Sequence, residues 1–530
     1  MDVQGVMGRV GLPAPVAELA AREWDAVVVG GGHNGLTAAA YLARAGRSVL
    51  VLERREQLGG ACTLDTPFGD DRYVVSPCAY VVGLLDETVI RELELERHGY
   101  RVTPADPNLW CPFPDGTSFA GFLDRKRTAE HMRANGFAED DISGYFAYED
   151  AFERLRQLCR HGDAGDLWQR PAPARDELER IIGDPDLIEI AFDASIADTL
   201  ARFLKDERLF HALCGQGVIG TFAGPRDPGT AQVKLMHHQG DLRGLGSVWG
   251  YVAGGMGRIS FAIAEAAAEA GATIACGVPV ARITPGEAVE LESGERIRAR
   301  LVVCNADPKR ALGMLDGAEL PSDYRQRLKD WRVDSPVVKL NAALSRPLSF
   351  TAASDVDPVK AMVTITPGLD AMQAACETAR AGEPSIGFAE LYFQSGYDQT
   401  VAPDGRHVMS AFAQYAPHGI DGGWDARRAE VGELILDAIE AYAPDVRDCV
   451  EDMQVLGPPD IEQTVGLTGG HIFQGEALPD QMWDRRLEWR TPVDGFYLCG
   501  AATHPGGSVI ALNGRGAAMT ALADTNGAAT

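Results

Sequence analysis

Three glycines and one acid carry the first recognisable chemistry of this chain. Gly30, Gly32 and Gly35 spell G-x-G-x-x-G directly after an apolar run, Ala26 to Val29, and Glu53 closes a second apolar run 18 residues beyond Gly35. Gly30 permits a tight turn, Gly32 has no Cβ to obstruct a pyrophosphate, and Gly35 lets a helix pack closely on its strand. The helix start then offers free N–H groups and a positive dipole end to phosphates. Glu53 can accept hydrogen bonds from ribose hydroxyls. Strand, glycine turn, helix, strand and acid in this order specify adenine-dinucleotide binding, which a lone glycine motif does not. Gly215, Gly217 and Gly220 spell the same motif after a helical stretch and before the breakers Gly224 and Pro225, with no strand and acid to follow. That copy reads as a turn.

The elements that must position these residues follow from periodicity. A helix is expected from Leu36 to Ala45, opening at Gly35, and a strand from Ser48 to Leu52. Leu58-Gly59-Gly60 is a loop whose glycines let the backbone pass close to a bound cofactor. Trp110 to Gly116 reads as a hairpin, and helices follow around Thr128 to Ala134 and Ile142 to Leu158. Ile188, Phe192, Ile196, Leu200 and Leu204 recur every four residues, one apolar helix face that either packs on its own core or lines a lipophilic tunnel. A second alanine-rich helix, Ile259 to Ala270, and strands between Thr273 and Val303 return to the style of the first unit. Strands at Val337 to Leu344, Ile386 to Phe393 and His407 to Tyr415, with a helix at Ala426 to Tyr442, build a second unit. Near the C-terminus, a short strand at Phe496 to Cys499 runs into Gly500, and a glycine-rich turn lets a helix begin at Ser508.

Composition sets the limits. Lys plus Arg number 49 against 76 Asp plus Glu, a formal charge of −27, which repels nucleic acid and gains nothing from anionic lipid headgroups. Peripheral contact with a membrane through a local apolar patch is left open. No run approaches the length of a membrane span, and the first 23 residues, lacking a basic region and apolar core, read as a mobile tail rather than a signal peptide. Ten cysteines without a C-x-x-C pair suit buried thiols in a reduced, cytoplasmic protein and offer no dithiol redox centre. No metal site is read from the sequence.

Six stretches together resemble the phytoene desaturase-like FAD oxidoreductases, including the desaturase-type β-carotene ketolases. They are GGGHNGLTAAAYLARAG from Gly30, ERREQLGGA from Glu53, GYVAGGMGRI from Gly250, VCNADP from Val303, GGHIF from Gly469 and YLCGAATHPGGSV from Tyr497. The resemblance implies an α/β fold: a discontinuous FAD-binding Rossmann-like domain of the glutathione reductase type, with a second α+β substrate domain. Residues 24–95, 245–320 and 455–530 would form the first, and 96–244 and 321–454 the second. It implies non-covalent FAD, with Gly30, Gly32, Gly35, Glu53 and Gly60 at the ADP half and Val280 at the adenine. Gly500, Gly507 and Ser508 would stand at the diphosphate and flavin end. His33, Asn34, Arg54, Gly59, Ala61, Asn305 and Val509 complete the cofactor set within these stretches and the strands beside them.

The implied reaction is hydride transfer from a C–H bond of a lipophilic, isoprenoid- or polyene-like small molecule to flavin N5, with oxygen or a quinone as electron acceptor. Desaturation also requires a proton to leave the neighbouring carbon. His504, His471 and His237, with His238 beside the last, are the candidate acceptors, His504 foremost because its turn should lie near the ring. The alternatives are an amine or amino-acid oxidase, for which only Phe496 and Tyr497 suggest an aromatic pair, a redox-neutral polyene isomerase, and a flavin-binding protein without turnover. The sequence leaves oligomeric state open.

Overall fold

The structure, a computed structural model, describes residues 1–317, 319–352 and 355–527. Two sheets of seven strands organise it. The first runs in the order Thr273–Cys276, Val49–Glu53, Glu23–Val29, Arg296–Cys304, Ala288–Leu291 and Val280–Thr284, and Phe496–Leu498 also pairs with Arg296–Cys304. Its central pairings are parallel. An alternation of apolar and polar residues is absent from its middle strands because both faces are covered: Ala26, Val27, Val28 and Leu50 are fully buried. Three helices, His33–Arg44, Gly257–Glu269 and Leu512–Gly527, pack together on one face. Small residues permit the approach. A Cβ on Gly514 would lie 2.1 Å from the Asn34 carbonyl oxygen.

The second sheet runs in the order Val450–Leu456, Val337–Leu344, His407–Gln414, Phe388–Tyr392, Val363–Ile365, Leu109–Pro112 and Ser118–Gly121. Its two faces have separate fates. Val338, Leu340, Leu391, Ala411 and Ala413 share a core with Val431, Ile435 and Ile439 of the helix Trp424–Glu440. Register puts Lys339, Phe412 and Glu390 on one rung of the other face, and Asn341, Ser410 and Tyr392 on the next. That face looks toward the first sheet.

Several expectations need correction. The first 23 residues are packed, not a mobile tail: Val3, Val10 and Leu19 are buried, the Val10 N–H donates to the Glu56 carbonyl at 3.1 Å, and Val16–Ala21 is helical. Apolar residues this buried resist fraying, whatever their place in the chain. The glycine-turn helix opens at His33 with Gly32 as its N-cap, so Gly35 sits inside the first turn. The C-terminal helix begins at Leu512 rather than Ser508, because Ser508 and Ala511 have φ of 88° and 68°. The apolar face from Ile188 to Leu204 is divided between Pro185–Phe192 and Ile196–Phe203, and it packs into the core. Gly215 and Gly217 belong to a 3₁₀ turn, Cys214–Gly217, as expected of the second glycine motif. Among the described residues no helix is long and apolar enough to cross a membrane.

Candidate functional site

A cavity of about 900 Å³ lies between the two sheets and receives residues from both. Its first wall is the glycine turn. Gly30 has φ of 101°, open to it without a Cβ, and a Cβ on Gly32 would lie 2.8 Å from Asn305 Nδ2. The second glycine loop is docked onto the first, with the Gly59 N–H donating to the Gly31 carbonyl at 2.8 Å. Glu53 is buried at the end of its strand, where Oε2 accepts from the Gly31 N–H at 2.7 Å and Oε1 from the Arg55 N–H at 2.9 Å. Each oxygen keeps acceptor capacity toward a ribose. Arg54 commits its guanidinium to the carbonyls of Gln463 and Thr464, at 3.0 and 2.8 Å.

Residues 508 and 509 meet this wall from the other end of the chain. The Ser508 backbone favours the charged form of the His33 ring, but burial outweighs it and pushes the imidazole pKa down to about 4. His33 Nε2 and Asn34 Oδ1, both in the first turn of the helix, are buried without a hydrogen-bond partner. A helix start, orphaned polar atoms, a crevice that a Cβ on Gly32 would narrow and a buried acid together fit the phosphates and ribose of a dinucleotide. Of the expected cofactor residues, Gly30, Gly32, His33, Asn34, Glu53, Arg54, Gly59, Gly60, Ala61, Val280, Asn305, Ser508 and Val509 line the cavity. Gly35, Gly500 and Gly507 stand behind its wall, where a Cβ would strike the Gly30 carbonyl, Gln474 and Phe473 at 2.1, 2.5 and 2.4 Å.

The histidines divide. His504 does not line the cavity: it is 2% exposed, its Nε2 donates to the Leu167 carbonyl at 2.8 Å, and its ring lies beside Trp489. Burial pushes it down to about 4. His471 is also fully buried and off the cavity, accepting the Phe473 N–H at Nδ1. His238 is buried behind the cavity, its pKa depressed by desolvation. Of these four candidates, His237 alone faces in. Its Nδ1 donates to the Val233 carbonyl at 2.8 Å, which leaves Nε2 the acceptor, and burial lowers its pKa to about 4. It is neutral but a weak base.

The opposite wall holds residues that the sequence reading missed. Lys339 and Glu390 both line the cavity and share a rung, with Phe412 on the strand between them. Lys339 Nζ donates to Ser410 Oγ at 2.7 Å and stands 3.8 Å above the Tyr80 ring. Tyr392 donates to Glu390 Oε2 at 2.7 Å and packs against Tyr80, the rings tilted by 33° with centroids 4.3 Å apart. Burial pushes Lys339 down and Glu390 up, each to about 7. The signal was present in VVKLNAAL and FAELY, where a charged residue interrupts a run that is otherwise buried. Aromatic rings of Trp249 and Phe473 and the side chains of Leu109, Ile219 and Met362 supply apolar lining.

Comparison with known proteins agrees with this geometry. The profile of a NAD(P)-binding Rossmann-like domain matches residues 28–82, and that of flavin containing amine oxidoreductases matches residues 150–514. Pyridine nucleotide-disulfide oxidoreductase domain-containing protein 2 of Rattus norvegicus is 33% identical over 95% of this chain and 94% of its own length. The carotenoid 3,4-desaturase of Haloarcula japonica is 24% identical, covering 91% and 94%. A putrescine oxidase structure shares the fold, with a TM-score of 0.58 at 17% identity over 95% of this chain and 99% of that one. With a glycine turn, a dinucleotide-shaped wall and these likenesses, the chain belongs to the flavin containing amine oxidoreductase family, as an FAD-dependent oxidoreductase.

Proposed function

We propose that this oxidoreductase dehydrogenates a lipophilic, isoprenoid- or polyene-like small molecule. The observation that carries the reading is one cavity whose first wall fits a dinucleotide and whose second is built largely from aromatic and aliphatic side chains. The desaturase relative points the same way. Bound FAD, held non-covalently, supplies a hydride acceptor at N5. The glycine turn, Glu53, Asn305 and residues 508–509 hold its phosphates and ribose. Apolar side chains exclude water and orient the substrate chain. The proton acceptor is the Lys339 and Glu390 rung, because groups near 7 are matched to neutral pH whereas His237 at about 4 is not. The FAD-binding domain comprises 24–95, 245–320 and 455–530, the substrate domain 96–244 and 321–454, and the acceptor is oxygen or a quinone. Ten free cysteines favour a cytoplasmic setting.

An amine oxidase is the weaker reading. Phe496 and Tyr497 lie in a strand of the first sheet, off the cavity, with the Tyr497 hydroxyl committed to Asp524. The ring pair Tyr80 and Tyr392, which does line the cavity, is too close at 4.3 Å to admit an amine between its members, and Lys339 already covers a Tyr80 face. The test is anaerobic bleaching of the visible flavin band. Isoprenoid alcohols, aldehydes and polyenes should bleach it, and putrescine or cyclohexylamine should not. Bleaching by amines alone would replace this reading with the oxidase. Acid precipitation should release the FAD into the supernatant.

A further inference from the structure

The second sheet places a compact polar patch in a chamber whose lining also includes many apolar side chains and, apart from the patch, the Lys234–Glu149 ion pair. Lys339, Ser410, Glu390 and Tyr392 sit on two neighbouring rungs of the same face, joined by the Lys339 to Ser410 and Tyr392 to Glu390 hydrogen bonds. The network runs on through Ser410, which donates to Asn341 Oδ1 at 2.8 Å. The patch lies toward the cofactor side, since Tyr80, under Lys339, belongs to a segment tied to the second glycine loop by the Ala79 N–H donating to the Ala61 carbonyl at 3.2 Å. Phe412 separates the ammonium from the carboxyl, so neither neutralises the other by direct contact.

A hydrocarbon lying over this patch would strip its remaining water and return no hydrogen bond, which is costly for an ammonium and a carboxyl. A ligand with a polar end would replace that water. The two ionisable groups carry opposite charge when both are ionised and none when both are neutral, so the patch has no net charge in either state. An ammonium or a carboxylate would therefore gain one partner and be opposed by the other. A neutral oxygen that accepts from Lys339 or donates to Glu390 meets no opposition.

Resting on the isoprenoid reading above, we propose that Glu390, Tyr392 and Lys339 form a head-group subsite that selects a chain ending in a neutral oxygen function, an alcohol or a carbonyl. The substrate class is thereby narrowed from polyenes at large to oxygenated isoprenoids, and Glu390 becomes the specificity-determining residue.

The test uses the FAD-loaded full chain with its flavin reduced by dithionite under argon, so that no member of the series is oxidised, and the visible flavin band is followed to show that farnesal does not reoxidise it. Binding of farnesene, farnesol, farnesal, farnesylamine and farnesoic acid, which share one chain and differ in the head, is followed by tryptophan quenching, Trp249 being part of the lining. Farnesol and farnesal should bind at least tenfold tighter than the other three, about 1.4 kcal/mol. Glu390→Leu should bring farnesol and farnesene to within about threefold of each other, by weakening farnesol and tightening farnesene, and Glu390→Gln should keep part of the preference. Equal affinity of wild-type protein for farnesene and farnesol, tightest binding of farnesylamine or farnesoic acid, or an unaltered order in Glu390→Leu would each overturn the subsite. The wild-type order needs no variant to fold. Failure of the isoprenoid reading looks different: no member of the series binds at all, or none bleaches the oxidised flavin.

Discussion

Gly32 passes Asn305 so closely that a Cβ on the glycine would stand 2.8 Å from the asparagine Nδ2, and this contact joins the glycine turn to the strand Arg296–Cys304 that ends beside it. Asn305 Nδ2 is the far end of a side chain and can swing away. The neighbouring Gly35 has no such relief, because its Cβ would meet the Gly30 carbonyl oxygen at 2.1 Å. Gly32→Ala should therefore keep its stability within about 1 kcal/mol and lose FAD affinity at least tenfold, while Gly35→Ala should lose about 3 kcal/mol of stability. Urea unfolding and FAD titration of the two proteins separate the effects. Equal stability loss in both would contradict the geometry.

Arg486 is 1% exposed and holds together the stretch behind the cavity wall. Its guanidinium donates to the carbonyls of Phe473 and Ala501, each at 2.6 Å, and to those of Glu476 and Gln481, at 2.9 and 3.2 Å. Methionine would leave these carbonyls buried and unpaired, so Arg486→Met should cost about 3 kcal/mol in denaturant unfolding. Arg486→Lys should recover part of it, because an ammonium has three donors but not the planar fork. Equal loss in both variants would argue for packing alone.

Acid stability has a defined sign. Burial holds the His504 imidazole at about 4 against an ordinary 6.5, so between these values the unfolded chain binds a proton that the folded one refuses. The contribution is complete above pH 6.5 and drains away as pH falls toward 4, on the order of 3 kcal/mol in all. His504→Gln, which can still donate to the Leu167 carbonyl, should melt lower than wild type at about pH 7.5 yet lose less on going to about pH 4.5. Parallel melting curves across this range would refute the assignment.

The catalytic pH profile should report the Lys339 and Glu390 rung. A proton acceptor must be unprotonated, and both groups titrate at about 7, so kcat should rise as pH climbs through that value. Each charge stabilises the other. Glu390→Gln removes the carboxylate that favours the ammonium, lowers the Lys339 pKa and should move the inflection to lower pH. Lys339→Met removes the cation that favours the carboxylate, raises the Glu390 pKa and should move it to higher pH. Shifts of the same sign in the two variants would exclude the rung as acceptor.

The dinucleotide wall was legible because it is written locally. Turn, N-cap, strand end and acid fall within the span from Ala26 to Gly60, where backbone geometry leaves few residue types able to serve, so spacing alone identifies them. The same holds for the strand Val337–Leu344, whose bounds follow from its apolar run. Helix starts were harder. The glycine-turn helix begins two residues before Gly35, since a glycine in an opening turn does not announce which glycine is the cap.

What the sequence by itself determined is the cofactor class and the presence of two sheet-bearing units, because glycine spacing and apolar periodicity are short-range constraints. Only the tertiary structure decided which ionisable groups share the chamber. His504 sits in a glycine-rich turn that suggests chemistry, yet its ring turns away to the Leu167 carbonyl. Val3 and Val10 have the local signature of a tail and are core, because their partners lie far along the chain. Lys339 and Glu390 are brought onto one rung by strand register alone. Such pairings depend on long-range contacts, and no local pattern encodes the residue that will stand opposite.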